Sequence, residues 1–213
     1  SHEILVVDDG STDGTRDAVA AASRATPGLR VLAGPHRGKG GAVRIGVLDS
    51  RGTWVLFIDA DGSTPIAESS KLVAALRAGH QIAIGSRKMP GAEITVRQPV
   101  VREMRGKGFT WLTNLLLGIA VSDITCGFKA FDGSVARTLF ALQRLDGWGF
   151  DAEILFLARR GGFGIHEVPV RWANDAQTKV HLGRDVILSL SDLARIRVGA
   201  WRGWYTAPRG EGG

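Results

Sequence analysis

Trp54-Val55-Leu56-Phe57-Ile58-Asp59-Ala60-Asp61-Gly62 is the stretch that decides the fold. Five apolar residues in unbroken succession suit a strand buried on both faces, and they stop at two carboxylates two residues apart. Upstream the same pattern recurs. Ile4-Leu5-Val6-Val7 is a second apolar run, and it ends at Asp8-Asp9-Gly10-Ser11. Thr12 or Asp13 can then cap a helix through Ala25, and Leu29 to Ala33 reads as a strand. Gly38 to Ser50 reads as a helix entered through glycines. Downstream, Pro65 opens a helix at a position where its missing N–H has no partner to lose. Leu72, Val73 and Leu76 mark that helix's buried face, and Gln81 to Gly85 is the next strand. Strands alternating with helices at this spacing predict an α/β fold: a Rossmann-like, mostly parallel sheet with helices on both faces. Ligands of such sheets bind beyond the carboxyl ends of the strands, where both acidic clusters stand.

After Arg87 the character changes. Lys88 to Pro99 is rich in Pro, Gly and charge and reads as a loop. Arg97, Arg102, Arg105 and Lys107 then precede an apolar run from Phe109 to Val121. That run falls short of the roughly 20 residues a bilayer requires. It reads either as a core helix or as one resting in a membrane interface. Phe150 to Ala158 is expected as a helix, Ile165 to Val170 as a strand, and Asn174 to Gly183 as a polar loop. A last helix carries Val186, Ile187, Leu190, Leu193 and Ala194 on one face. The tail beyond it mixes Arg with Trp201, Trp204 and Tyr205, as an interfacial anchor or a frayed end would.

The chain has 213 residues, 44% hydrophobic and 23% charged, and no repeat or linker divides it, so a single domain, 1–213, is expected. The net charge of +6 favours an anionic partner, phosphates or a membrane surface, although ordinary solubility also accounts for it. No nucleic-acid-binding motif accompanies it. The single cysteine, Cys126, has no internal disulfide partner, which suits a reducing compartment and a packed small residue. The five histidines (2, 36, 80, 166 and 181) lack metal-ligand spacing. Trp148 and Trp172 read as core.

Three clusters carry chemistry. Asp59 and Asp61 can hold a hard divalent cation, Mg²⁺ or Mn²⁺, against phosphate oxygens, since such ions take oxygen ligands and few carboxylates. Asp8 and Asp9 can accept hydrogen bonds from a nucleoside. The glycine-rich entrance Gly38-Lys39-Gly40-Gly41 exposes backbone N–H groups and adds one ammonium for an anion. Walker A spacing and G-x-G-x-x-G are both absent, which argues against a dinucleotide cofactor.

The ordered set VDDGSTDGT, RGKGGAVRIG, LFIDADGST, IGSRK, SDITCGFKAF, WGFDAEIL and EVPVRW resembles glycosyltransferase family 2. Within it the set is most similar to the polyprenyl-phosphate branch, the dolichyl-phosphate β-glucosyltransferases and mannosyltransferases. The resemblance implies a GT-A fold and an inverting, metal-dependent transfer of a hexose, glucose from UDP-glucose or mannose from GDP-mannose, to a polyprenyl phosphate. It implies a nucleotide-sugar half (1–87), an acceptor half (88–175), a C-terminal helix and tail (176–213), and peripheral contact with the cytoplasmic membrane face. It places Asp8, Asp9, Lys39 and Asp59 at the nucleotide, Asp59 and Asp61 at the metal–diphosphate position, and Arg87 near a phosphate. Lys129, Asp151 and Glu153 are expected to face the active-site side. The family's first strand and its Pro-x-x-Asn-Glu loop have no counterpart before Ser1, so that strand is expected to be missing.

The acceptor argument is physical. A phosphate monoester has a second pKa of about 6 and is already a nucleophile at neutral pH. It needs cationic positioning, which Arg102, Arg105, Lys107 and Lys129 are expected to supply. A hydroxyl acceptor would instead need a general base, with Asp151 as the candidate. A truncated domain that binds nucleotide poorly is the non-enzymatic alternative.

Overall fold

The computed structural model describes residues 2–174 and 184–206. The elements run β1 (Ile4–Asp8), α1 (Thr15–Ser23), β2 (Leu29–Ala33), α2 (Lys39–Asp49), β3 (Trp54–Ile58), a 3-10 turn (Ile66–Glu68) and α3 (Ser69–Arg77). They continue through β4 (Ile82–Ser86), β5 (Glu93–Val96), α4 (Val100–Leu117), β6 (Phe128–Asp132), α5 (Gly133–Leu142), α6 (Phe150–Arg160), β7 (Ile165–Pro169), β8 (Arg171–Ala173) and α7 (Arg184–Trp201).

The alternation of strand and helix is borne out. β1 and β2 pair in parallel, as do β4 with β7 and β5 with β8. β6 runs antiparallel between β3 and β4, giving a central order β3-β6-β4-β7. That reversal serves the site. It brings the residues just before β6 to the same end of the sheet as those just after β3 and β4.

Two hydrophobic clusters cover the two faces of this sheet. Ile82, Ile84 and Phe131 join Phe140, Phe150, Leu155 and Leu193 in one. Ala83, Phe128 and Ala130 join Leu72 and Leu76 of α3 in the other. The period of two along β4 and β6 sorts these side chains, as strand geometry requires. Lys129 falls on the first face, in register with Phe57 on one side and Ile84 on the other.

Several expectations are revised. β5 lies inside the segment read as a loop, because its Pro and Gly neighbours hid a four-residue strand that pairs, among the described residues, with β8 alone. β3 is not buried throughout: Trp54 and Ile58 are exposed at its ends. The cationic and apolar runs near residue 109 form one helix, α4. It buries Thr110, Thr113 and Leu117 while exposing Val100, Met104, Trp111 and Leu115. The end is not frayed through residue 206, since Tyr205 is buried and its hydroxyl donates to Glu153 at 2.7 Å. The polar loop at 175–183, with His181, lies outside the described residues. No helix among the described residues is long and apolar enough to cross a membrane.

Candidate active site

A cavity of about 820 Å³ opens beyond the carboxyl ends of β3 and β4. Asp59, Asp61, Lys39, Asp151 and Arg87 line it, together with Arg102, Arg105 and Lys107 of α4. Eight of the residues expected from the sequence are thus brought to one wall or another of a single space.

Asp59 owes its position to a glycine. Its N–H donates to the Gly127 carbonyl at 2.9 Å. A Cβ on Gly127 would stand 2.0 Å from the Asp59 Oδ2, so no larger residue fits there. Burial pushes the Asp59 carboxyl above the usual carboxylate range, and the Lys39 ammonium, 2.8 Å away, works against that push. Burial would lower the pKa of Lys39, but the charges of Asp151 and Asp59 outweigh it and raise the value. Lys39 itself is held at the entrance of α2. Gln143 donates to the Gly40 carbonyl at 2.9 Å, and the Gly41 N–H donates to the Asp146 carbonyl at 3.1 Å. Trp148 and Phe150 flank its ammonium, with ring centroids 5.1 and 5.8 Å away.

The donor set fits a hard divalent cation. A cation, the Lys39 ammonium, already sits on Asp59. One Asp61 oxygen accepts from the Ser63 N–H at 2.9 Å, and its other oxygen has no partner among the described residues. No third Asp, Glu, His or Cys gathers with these two among the described residues. Oxygens of a bound ligand would complete the shell, which is how Mg²⁺ is usually held at phosphates.

Arg87 follows β4 and is fixed by Asp123. Its Nε and Nη2 each donate to that carboxylate at 2.7 Å, and its N–H donates at 3.0 Å. Burial would lower the guanidinium's pKa, but Asp123 raises it; burial would raise the Asp123 carboxyl, but Arg87 lowers it. Glu167 of β7 anchors the turn that carries Asp123, accepting from the N–H groups of Ser122 and Asp123 at 2.8 and 3.2 Å. Along α4, Lys107 pairs with Glu103 and Arg102 reaches Asn174. Arg105 has no polar partner among the described residues.

Other expected residues fall elsewhere. The Asp8 carboxylate accepts from the Ser11 N–H at 3.0 Å and from Arg16, and these bonds pull its pKa down to about 2. The Asp9 carboxylate accepts from the N–H groups of Arg37 and Gly38 at 3.0 and 2.6 Å. Asp8 thus braces the turn before α1 and Asp9 the approach to α2, and neither lines the cavity. Lys129 is corrected more sharply. Its side chain is 1% exposed, and its ammonium is spent on Asp151 and the Cys126 carbonyl, so it cannot meet an acceptor phosphate. Glu153 is buried and accepts from the N–H groups of Arg144 and Leu145 as well as from Tyr205. Cys126 is a packed residue, its thiol pushed up to about 12 by burial.

Sequence reasoning missed Lys88, Asp123 and the placement of Trp148. Lys88 lines the cavity and donates to the Thr110 hydroxyl at 2.9 Å. Asp123 stands inside a quoted motif, yet nothing local marks it as the partner of Arg87. Trp148 is not core; it is half-exposed on the cavity wall.

Residues 1–140 match the family described as glycosyl transferase family 2. The chain belongs to glycosyltransferase family 2. Relatives in this family include a dolichyl-phosphate beta-glucosyltransferase of Drosophila melanogaster, 36% identical over 95% of this chain and 66% of that protein. Another, from Trichomonas vaginalis, is 36% identical over 93% of this chain and 62% of its own length. The chain therefore spans about two thirds of the length of these curated relatives. Among solved structures, mannosyl-3-phosphoglycerate synthase from Rubrobacter xylanophilus superposes with a TM-score of 0.66 at 24% identity, over 99% of this chain and 67% of that one. Glucosyl-3-phosphoglycerate synthase from Mycobacterium tuberculosis, in complex with Mn²⁺, UDP-glucose and phosphoglyceric acid, gives 0.63 at 22%, over 91% and 68%. These likenesses establish the GT-A glycosyltransferase fold.

Proposed function

We propose that this chain forms the transferase portion of an enzyme that moves a hexose, glucose from UDP-glucose, onto a polyprenyl phosphate such as dolichyl phosphate. The observation that carries the reading is the lining of one cavity. The Asp59/Asp61 carboxylates and the cations Arg87, Lys88, Arg102, Arg105 and Lys107 all line it. The relatives named dolichyl-phosphate beta-glucosyltransferases support the choice of sugar and acceptor.

A divalent cation on Asp59 and Asp61, when bound, supplies charge neutralisation for the departing nucleoside diphosphate. The chain's own residues do the rest. Lys39 leaves Asp59 for the diphosphate oxygens, and Asp9 holds the loop that presents it. Arg102, Arg105 and Lys107 draw the acceptor phosphate toward a second anion that would otherwise repel it, with Arg87 between the two. The acceptor oxygen attacks the anomeric carbon from the side opposite the leaving diphosphate, inverting that centre; no proton need be removed from a phosphate already ionised. The exposed stripe Val100, Met104, Trp111 and Leu115 supports peripheral contact with the cytoplasmic membrane face, where apolar side chains enter the interface and neighbouring cations meet anionic headgroups.

The test is transfer of label from UDP-glucose and from GDP-mannose to a polyprenyl phosphate, with Mg²⁺ or Mn²⁺ and with EDTA. Chelator-sensitive lipid-linked glucose is expected. Transfer to a sugar hydroxyl but not to the lipid phosphate would overturn the acceptor assignment.

A further inference from the structure

The Lys129–Asp151 pair is unexplained by the transfer chemistry. A phosphate acceptor needs no general base, and Lys129 is too deep to touch a substrate. Yet both residues are almost completely buried, a costly arrangement for two charges unless geometry and hydrogen bonds compensate. Here they do. The Lys129 ammonium bonds the Asp151 Oδ1 and the Cys126 carbonyl, and it lies 5.3 Å from the Phe57 ring centroid. Asp151 thereby has one oxygen pinned. The other has no hydrogen-bond partner among the described residues, and Asp151 lines the cavity. The groups around it are Lys129 from β6, Lys39 from α2 and Asp59 after β3. Trp148, three residues before Asp151, presents a half-exposed ring to the same cavity, its centroid 5.1 Å from the Lys39 ammonium.

We propose that Asp151 accepts a hydrogen bond from a hydroxyl of the donor hexose, and that Lys129 is the positioning residue that fixes the carboxylate for it. The inference rests on the nucleotide-sugar reading above and assigns its sugar subsite. A carboxylate held by one oxygen presents the other in a single direction, which suits recognition of a hydroxyl, and an ionised acceptor makes the stronger hydrogen bond. The Trp148 ring in the same cavity offers a face for the apolar C–H side of a sugar ring.

The experiment compares the affinities of UDP and UDP-glucose for the whole chain by calorimetry, with Mn²⁺ present. The wild-type ratio of UDP-glucose to UDP affinity is the reference, and a fall in that ratio reports loss of the hexose contact. Asp151→Asn and Lys129→Met should each reduce this ratio by about tenfold, with any smaller change in UDP affinity itself reporting loss of the Asp151 charge beside Lys39. Lys129→Arg should restore part of it. The double substitution should lose no more than either single one, because both remove the same contact. A purely structural role would lower UDP affinity and melting temperature together and leave the ratio intact. A ratio unchanged in Asp151→Asn overturns the inference and leaves the transferase reading standing. A wild type that binds neither UDP nor UDP-glucose overturns the transferase reading itself, and the sugar subsite with it.

Discussion

Replacing Asp123 with Asn should unfold the active-site end of the sheet at a markedly lower temperature. Asp123 is fully buried, and the Arg87 side chain that it holds is 20% exposed. The carboxylate accepts three hydrogen bonds from Arg87, two from the guanidinium and one from the backbone. An amide of the same shape keeps one acceptor oxygen and turns an NH₂ toward a guanidinium that can only donate. Breaking a buried pair in this way costs about 3–5 kcal/mol, because the remaining charge is left without compensation. The partial exposure of Arg87 argues for the lower end, about 3 kcal/mol. For a chain of this size that corresponds to roughly 6–12 °C in Tm. Circular dichroism melts of the wild type, Asp123→Asn, Arg87→Met and the double variant would close a cycle. The double variant should be less destabilised than the sum of the singles, since it leaves no orphan charge. An Asp123→Asn Tm within about 2 °C of wild type would refute the account of how Arg87 is positioned.

Gly127→Ala should push the Asp59 carboxylate aside, because the added methyl carbon would overlap it at 2.0 Å; transfer should fall about 100-fold, the scale of a 1 Å misplacement at a reacting centre, read as kcat/KM. Asp8 has its pKa lowered from 3.8 to about 2, so the stability it contributes is present above pH 3.8 and is lost as pH falls toward 2; Asp8→Asn should be less stable than wild type at neutral pH and should lose less stability on acidification across that window, as urea titrations at each pH would show. Trp111→Ser should weaken sedimentation with anionic vesicles about tenfold at unchanged Tm, since Trp111 is 66% exposed and its loss opens no cavity. If vesicle binding of that variant matched wild type, α4 would not be the membrane face.

What could be read from the sequence was what neighbouring residues decide together. The apolar runs that end at Asp8 and Asp59 placed two strands and two acidic turns correctly, because a strand's burial and its exit are written within about ten residues. The α4 cations could be placed near the cavity for the same reason: Arg102, Arg105 and Lys107 share one helix with the apolar residues after them. The roles of the charged residues could not be read this way. Asp59 is decided by Lys39 and Gly127, Arg87 by Asp123, and Asp151 by Lys129, all partners from other elements of the fold. The family resemblance puts Lys129 on the active-site side, where a lysine is expected to meet a phosphate. What overrules this is strand register: pairing Lys129 with Phe57 and Ile84 turns it into the core, where its ammonium pairs with Asp151. The carboxylate end of the site is already partly answered by cations before any ligand arrives. Lys39 pairs with Asp59 and Lys129 with Asp151, while Asp61 makes no ion pair among the described residues. A cleft arranged so admits a divalent cation and a diphosphate together more easily than either alone, because each ligand offsets the charge the other brings. Binding of Mn²⁺ and of UDP to this chain should therefore be mutually reinforcing, with each tightening the other by the same factor, as linkage requires.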